Sequence, residues 1–223
     1  MFKIDDDVAK TYPDLHVIAV EIVGVRVSQS NEKVRKLASE VYNRVRMTFK
    51  LEELKDYEVF RAYRDFFWEL GIDPTKIRPA SEALVRRILQ GKEIPSVNTL
   101  VDAYNLASIE TGIALAVFDL DKIVGGIVLR WAKRGEKFRG IGMPSEKELS
   151  GNELILADAE KVIAIYPYRD SDETKVTLDT RKVLLIVCGV PGISLEKLNE
   201  AERKAVEYII EVCGGKVVSK VYA

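Results

Sequence analysis

Histidine and cysteine are scarce in this chain of 223 residues: His16 stands alone, and Cys188 and Cys213 are the only cysteines. A single histidine excludes a histidine-rich metal centre and allows a Ser-His-Asp triad only if it is built around His16. His16 opens a β-type run, where a structural role is the simpler reading. Any catalysis here runs without the commonest general base. Two cysteines without metal-type spacing read as structural thiols in a reducing, cytoplasmic setting. No apolar run exceeds the six residues of Val183–Cys188, far short of the roughly 18 that a membrane span needs. The start, MFKIDDDVAK, is acidic and carries no apolar core of a signal peptide. The glycine-rich phosphate loops G-x-x-x-x-G-K-[ST] and G-x-G-x-x-G and the G-x-S-x-G elbow are missing too. No cofactor or metal is expected. Glutamine occurs only as Gln29 and Gln90, while Lys and Glu are common, a pattern that fits a thermophile.

Net charge is close to balance at −1, so bulk charge draws no nucleic acid. Local charge is uneven. Residues 31–50 carry Lys33, Arg35, Lys36, Arg44, Arg46 and Lys50 against Glu32 and Glu40. Residues 126–140 carry Arg130, Lys133, Arg134, Lys137 and Arg139 against Glu136. Such patches either neutralise RNA phosphates, with Lys33, Lys36, Arg44 and Arg130 as candidate contacts, or form a solvated helix face and a charged hairpin.

HVIAVEIVGVRVS (16–28) is rich in β-branched residues and reads as a strand. In residues 31–49, Val34, Leu37, Val41 and Val45 recur at helical spacing. A second helix is expected through LEELKDYEVFRAYRDFFWEL, with Gly71 as its cap. A short helix follows from Ser81 as N-cap, and another covers TLVDAYNLASIETG. The pattern then turns to short strands: IALAVFD, GGIVLRWAK, ELILAD, KVIAIYPY, KVTLD and VLLIVCGV. A long helix capped by Ser194 and a last strand, KVVSKVY, end the chain. Helices followed by strands, without regular alternation, predict an α+β fold of mostly antiparallel sheets flanked by helices. No linker divides the chain, so one domain over 1–223 is expected, with a helical part at 31–92 and a C-terminal helix and strand at 194–223.

Two polar constellations remain. Asp102, Asn105 and Ser108 share one helical face, with Tyr104 on the neighbouring stripe. A buried asparagine must satisfy its amide, and it does so by fixing a loop or by holding a polar ligand. The second is YPYRDSDETKVT (166–177), where Arg169, Asp170, Ser171 and Thr174 follow a strand. Arg169 either clamps a phosphate or carboxylate or pairs with an acid in a plain turn. Asp119 and Asp121 in FDLDKI read as turn residues, since two carboxylates at that spacing do not make a calcium loop.

At these same residues the sequence resembles a known module. VDAYNLASIETGIALAVFDLDKI, GIVLRWAKRGEKF, ELILADAEKVIA and TKVTLDTRKVLLIV are similar to the B3/B4 domain of the phenylalanyl-tRNA synthetase β subunit, most clearly over 98–187. RAYRDFFWELGIDPTKIRPASEALVRRIL looks like the region before the motif in free-standing B3/B4 proteins. The resemblance implies a three-layer arrangement around a β-sandwich. It also implies an editing site that hydrolyses the ester of a mischarged aminoacyl-tRNA, in the synthetase tyrosine on the phenylalanine tRNA. The family's Thr-Asn pair falls on Tyr104-Asn105, its histidine on Ala116, and the glutamate that reads the tyrosine hydroxyl on Ile186. An isoleucine offers that hydroxyl no partner, so tyrosine-specific editing is not expected. The expected activity is deacylation of mischarged tRNA. Asn105 is its catalytic residue, and Tyr104, Ser108, Arg169, Asp170, Ser171 and Thr174 bind substrate. Arg169 reaches the terminal adenosine or its phosphate, and the ribose hydroxyl of the substrate assists. The rival readings are a non-catalytic module that binds tRNA, another RNA or an amino-acid-like ligand, and a protein-interaction scaffold using the basic helix.

Overall fold

A computed structural model describes residues 2–223. Helices α2 (Glu32–Thr48), α3 (Glu58–Glu69), α4 (Ala80–Leu89), α5 (Thr99–Thr111) and α6 (Leu195–Cys213) accompany two main sheets. The middle sheet has the order β11-β2-β10-β3, built from β2 (Val17–Val23), β3 (Ala114–Asp119), β10 (Lys182–Cys188) and β11 (Lys216–Tyr222), all antiparallel. The second sheet has the order β1-β4-β7-β8-β9: β1 (Phe2–Ile4), β4 (Ile127–Trp131), β7 (Leu154–Ala157), β8 (Val162–Ile165) and β9 (Arg169–Asp170). Only its β1–β4 pair is parallel. A small hairpin, β5 (Lys137–Phe138) with β6 (Lys147–Glu148), and the short helix α1 (Asp6–Thr11) complete the chain.

Layering follows from the burial pattern. Every residue of β10 from Val183 to Cys188 is buried, so both faces of the middle sheet are covered. Helices α5 and α6 lie on one face and the second sheet lies on the other. The outer face of the second sheet is closed by a separate cluster in which Phe138 and Leu149 of the hairpin region meet Ile155, Val162 and Ile165. The result is an α+β fold of three layers. No helix among the described residues is long and apolar enough to cross a membrane.

Local chemistry places the elements that matter. Asn98 caps α5 by accepting from the backbone N–H groups of Leu100 and Val101. Gly112 ends α5 in the left-handed conformation, φ 75°. Beyond the end of β10, a Cβ at Gly189 would lie 2.2 Å from the His16 carbonyl oxygen, so only glycine lets those backbones approach. Tyr63, fully buried on α3, donates its hydroxyl to the Cys188 carbonyl at 2.5 Å and accepts from the Ala114 N–H at 3.0 Å. It therefore clamps the last pair of the β3–β10 ladder. A Tyr63→Phe variant leaves one buried acceptor and one buried donor unpaired, and urea unfolding should show a loss of about 2 kcal/mol.

Three expectations need correction. KVTLD is not a strand: residues 175–177 carry no regular structure and lead into a turn at 178–179, where Thr180 Oγ1 accepts from Thr177 N. The Ser81 cap is replaced by Pro79, and Ser81 lies buried inside α4 with its hydroxyl unpartnered. The second helix is broken at Tyr57, whose extended backbone separates a 3₁₀ stretch, Leu51–Asp56, from α3.

Candidate functional site

Between the two sheets, at the edge of α5, lies a hollow of about 130 Å³. Its walls are small or apolar: Ala114 and Ala116 on β3, Cys188 on β10, Leu156 on β7 and Ala164 on β8. Its polar groups are Tyr104 and Asn105 from α5 and Asp170 from β9, with Tyr168 beside them. Among the described residues, neither the Asn105 amide, the Tyr104 hydroxyl nor the Asp170 carboxylate has a protein hydrogen-bond partner. Tyr166 beside them is fully buried, and its hydroxyl donates to the Gly189 carbonyl at 2.5 Å. All three are partly exposed and line one hollow, so their polar atoms remain available to a molecule that enters it.

Strand geometry aims these groups. In the β8–β9 pair Asp170 stands opposite Ala164 and Arg169 opposite Ile165. Ala164 belongs to the inner core and Ile165 to the outer cluster, and of their partners Asp170 lines the hollow while Arg169 does not, as strand alternation requires. Removal from water pushes the Asp170 carboxyl up to about 7. Burial, then the nearby Asp170 and Asp102 charges, raise the Tyr104 hydroxyl. Burial and Asp170 likewise raise the Cys188 thiol, which keeps it protonated and unreactive.

The sequence candidates divide accordingly. The structure brings Tyr104, Asn105 and Asp170 together. Arg169 is exposed outside the hollow, its guanidinium 6.0 Å from the Tyr168 ring centroid. Ser108 is used by its own helix end, donating to the Ile113 carbonyl at 2.7 Å. Ser171 is buried and accepts from the Glu173 N–H, and Thr174 is buried with its hydroxyl unpartnered, but neither lines the hollow. Asp102 fastens the connector before α5 by accepting from Ser96 Oγ at 2.5 Å and Val97 N at 2.9 Å. Asp119 holds Thr180 Oγ1 at 2.7 Å and the N–H of Asp121, so the FDLDKI turn is structural. Ala116 and Ile186 are cross-strand partners, but only Ala116 reaches the hollow.

The basic candidates are also sorted. Arg44 forms a two-pronged pair with Glu110 and bonds Tyr208, and Arg130 forms one with Glu136. Lys33 reaches the Glu211 carbonyl, while Lys36 is exposed. A second hollow of about 250 Å³ lies between α2, the 94–96 connector and α5, and Asn105 lines it as well. Arg35 belongs to the basic run at 31–50, but neither it nor Ala38 nor Tyr42 is a site candidate from the sequence. Their 3- and 4-residue spacing beside the Val34 core stripe was the available signal.

A model of the B3/4 domain matches residues 62–214. The phenylalanine–tRNA ligase beta subunit of Vibrio parahaemolyticus is 31% identical over 147 residues, 56% of this chain and 18% of that protein. That of Aquifex aeolicus is 30% identical over 147 residues, 56% of this chain and 19% of that protein. The chain thus spans about a fifth of the length of these curated relatives. A crystal structure of an N-terminal fragment of the phenylalanyl-tRNA synthetase beta subunit from Pyrococcus horikoshii shares the fold, with a TM-score of 0.56 at 17% identity over 100% of this chain and 54% of that one. With the family model covering more than half of the sequence, the chain belongs to the B3/4 domain family.

Proposed function

We propose that this protein hydrolyses the ester of mischarged aminoacyl-tRNA in the cytoplasm, with Asp170 as general base and Asn105 as oxyanion donor. The observation that carries this reading is the meeting of the unpaired Asn105 amide and the unpaired Asp170 carboxylate in one hollow. A cavity of about 150 Å³ with apolar walls holds benzene, so this one takes an amino-acid side chain and excludes a whole nucleoside. A carboxyl poised near neutrality suits proton abstraction at physiological pH.

In the proposed reaction Asp170 accepts a proton from a water, and the water oxygen attacks the ester carbonyl carbon. The negative charge that develops on the carbonyl oxygen receives hydrogen bonds from Asn105 Nδ2. The intermediate collapses by breaking the bond to the ribose oxygen, which takes back the proton from Asp170. Free amino acid and uncharged tRNA leave. Tyr104 forms the wall against the side chain.

Deacylation of a panel of aminoacyl-tRNAs tests this. Asn105→Ala should lower kcat/KM on the best substrate about 100-fold, the size of losing one oxyanion donor. Its unfolding midpoint should stay unchanged, because Asn105 bonds nothing in the fold. Wild-type protein inactive on every aminoacyl-tRNA would overturn the enzyme reading. Ala116 at the position of the family histidine favours the alternative of a non-catalytic binder, which predicts saturable tRNA binding without turnover.

A further inference from the structure

We propose that the hollow of about 250 Å³ beside α2 binds a short zwitterionic peptide with apolar side chains, of dipeptide size. The proposal stands apart from the hydrolytic reading, since it concerns another cavity and another molecule. The hollow is a slot with apolar walls: Val34 and Ala38 from α2, Ile94 and Pro95 from the connector, Leu106 and Ile109 from α5. Walls of this kind hold apolar side chains and leave orientation to a few polar groups. A cavity of about 150 Å³ holds one benzene ring, so this larger slot takes a body with two aliphatic side chains.

The polar groups of the slot carry charge of both signs. Arg35 is exposed on α2, and among the described residues its guanidinium has one hydrogen-bond partner, the Ser30 hydroxyl at 3.1 Å. Asp102 on α5 accepts once at each carboxylate oxygen, from Ser96 Oγ and from Val97 N, and each oxygen keeps a further lone pair. No ion pair joins Arg35 to Asp102 among the described residues, so neither neutralises the other. The Asn105 amide lies three residues from Asp102 on the same face of α5 and has no protein hydrogen bond among the described residues. An anionic ligand would meet Arg35 but be repelled by Asp102, and a cationic one the reverse. A zwitterion satisfies both. Its carboxylate takes the guanidinium fork, its ammonium the free lone pairs of Asp102, and its peptide carbonyl accepts from Asn105 Nδ2. A free amino acid brings one side chain and would leave about half the slot empty.

The test is calorimetric titration of the full chain with leucyl-leucine, which should bind saturably. Blocking either end should weaken it at least about tenfold, the size of losing one hydrogen bond to a charged group. N-acetyl-leucyl-leucine probes the Asp102 end and leucyl-leucine amide the Arg35 end. Glycyl-glycine, with both charges and no side chains, should bind at least about 100-fold more weakly than leucyl-leucine. Arg35→Ala should weaken leucyl-leucine about tenfold and leave the affinity of leucyl-leucine amide unchanged. A loosened fold would weaken both peptides alike, so that match of residue to ligand end reports a direct contact. Ala38→Trp, which fills the slot, should abolish binding, and Asp170→Asn in the smaller hollow should leave it unchanged. Failure of leucyl-leucine to saturate, equal affinity for its amide, or binding that survives Ala38→Trp would overturn the proposal. The expected peptide pattern in a protein inactive in deacylation would leave this inference standing and remove only the hydrolytic one.

Discussion

An Asp170→Asn variant should lose at least about 100-fold in deacylation, as removal of a general base does, and yet be more stable than wild type at alkaline pH. Both effects come from the same burial. The carboxyl titrates near 7 in the folded protein and near 3.9 when exposed in the unfolded chain. Below the unfolded value both states are protonated and the group contributes nothing. Between about 4 and 7 the unfolded chain has given up a proton that the native state still holds, so wild-type stability falls as pH rises through that window. Above the folded value the loss is complete, on the order of 2–4 kcal/mol for a shift of this size in a half-buried group. The asparagine cannot ionise and escapes the loss. Urea unfolding of both proteins across that range, set beside a kcat/KM profile with its rising limb near neutrality, checks the two claims together. Parallel pH dependence of stability in wild type and variant would show that Asp170 is solvated, and the case for it as base would fall.

The contrast between Asp170 and its neighbour shows where sequence reading stops. Helical spacing correctly put Tyr104 and Asn105 on adjoining stripes of α5, because a 13-residue helix with a cap at each end fixes its own phase. β9 has only two residues, and no alternation can be read from two. Its phase comes from pairing with β8, and that pairing turns the aspartate in and the arginine out. The same limit explains KVTLD, whose β-branched residues suit a strand but which joins no ladder in the fold. The helix-then-strand order was legible, as were the helix ends at Ser194 and Gly112. The opening pair β1 and α1 was not, because three strand residues and six helical ones carry too little pattern. Asp102 and Asn105 were read as one constellation. The structure separates them by what they touch: one ties down a connector, the other is left free for a ligand.

Arg64→Ala should cost about 3–5 kcal/mol, the largest stability effect expected of a single charged residue here. Glu82 on α4 is fully buried, and its carboxylate accepts from Arg64 Nη1 on α3 at 3.2 and 3.1 Å, with Arg86 Nη2 farther off at 3.7 Å. Truncating Arg64 leaves a desolvated carboxylate with only the longer contact. The damage comes from the abandoned charge and not from the value of the pair itself, so replacing both partners should be milder than replacing one. An Arg64→Met, Glu82→Leu double variant should therefore recover most of the loss, and the coupling in that cycle measures the penalty directly. The site is involved because Ala80, two residues before Glu82, forms part of the wall of the smaller hollow. A loosened α4 should lower deacylation in the single variant and restore it in the double. A single variant that unfolds at the wild-type urea midpoint would mean that water reaches Glu82. The α3–α4 contact would then not be what holds that wall in place.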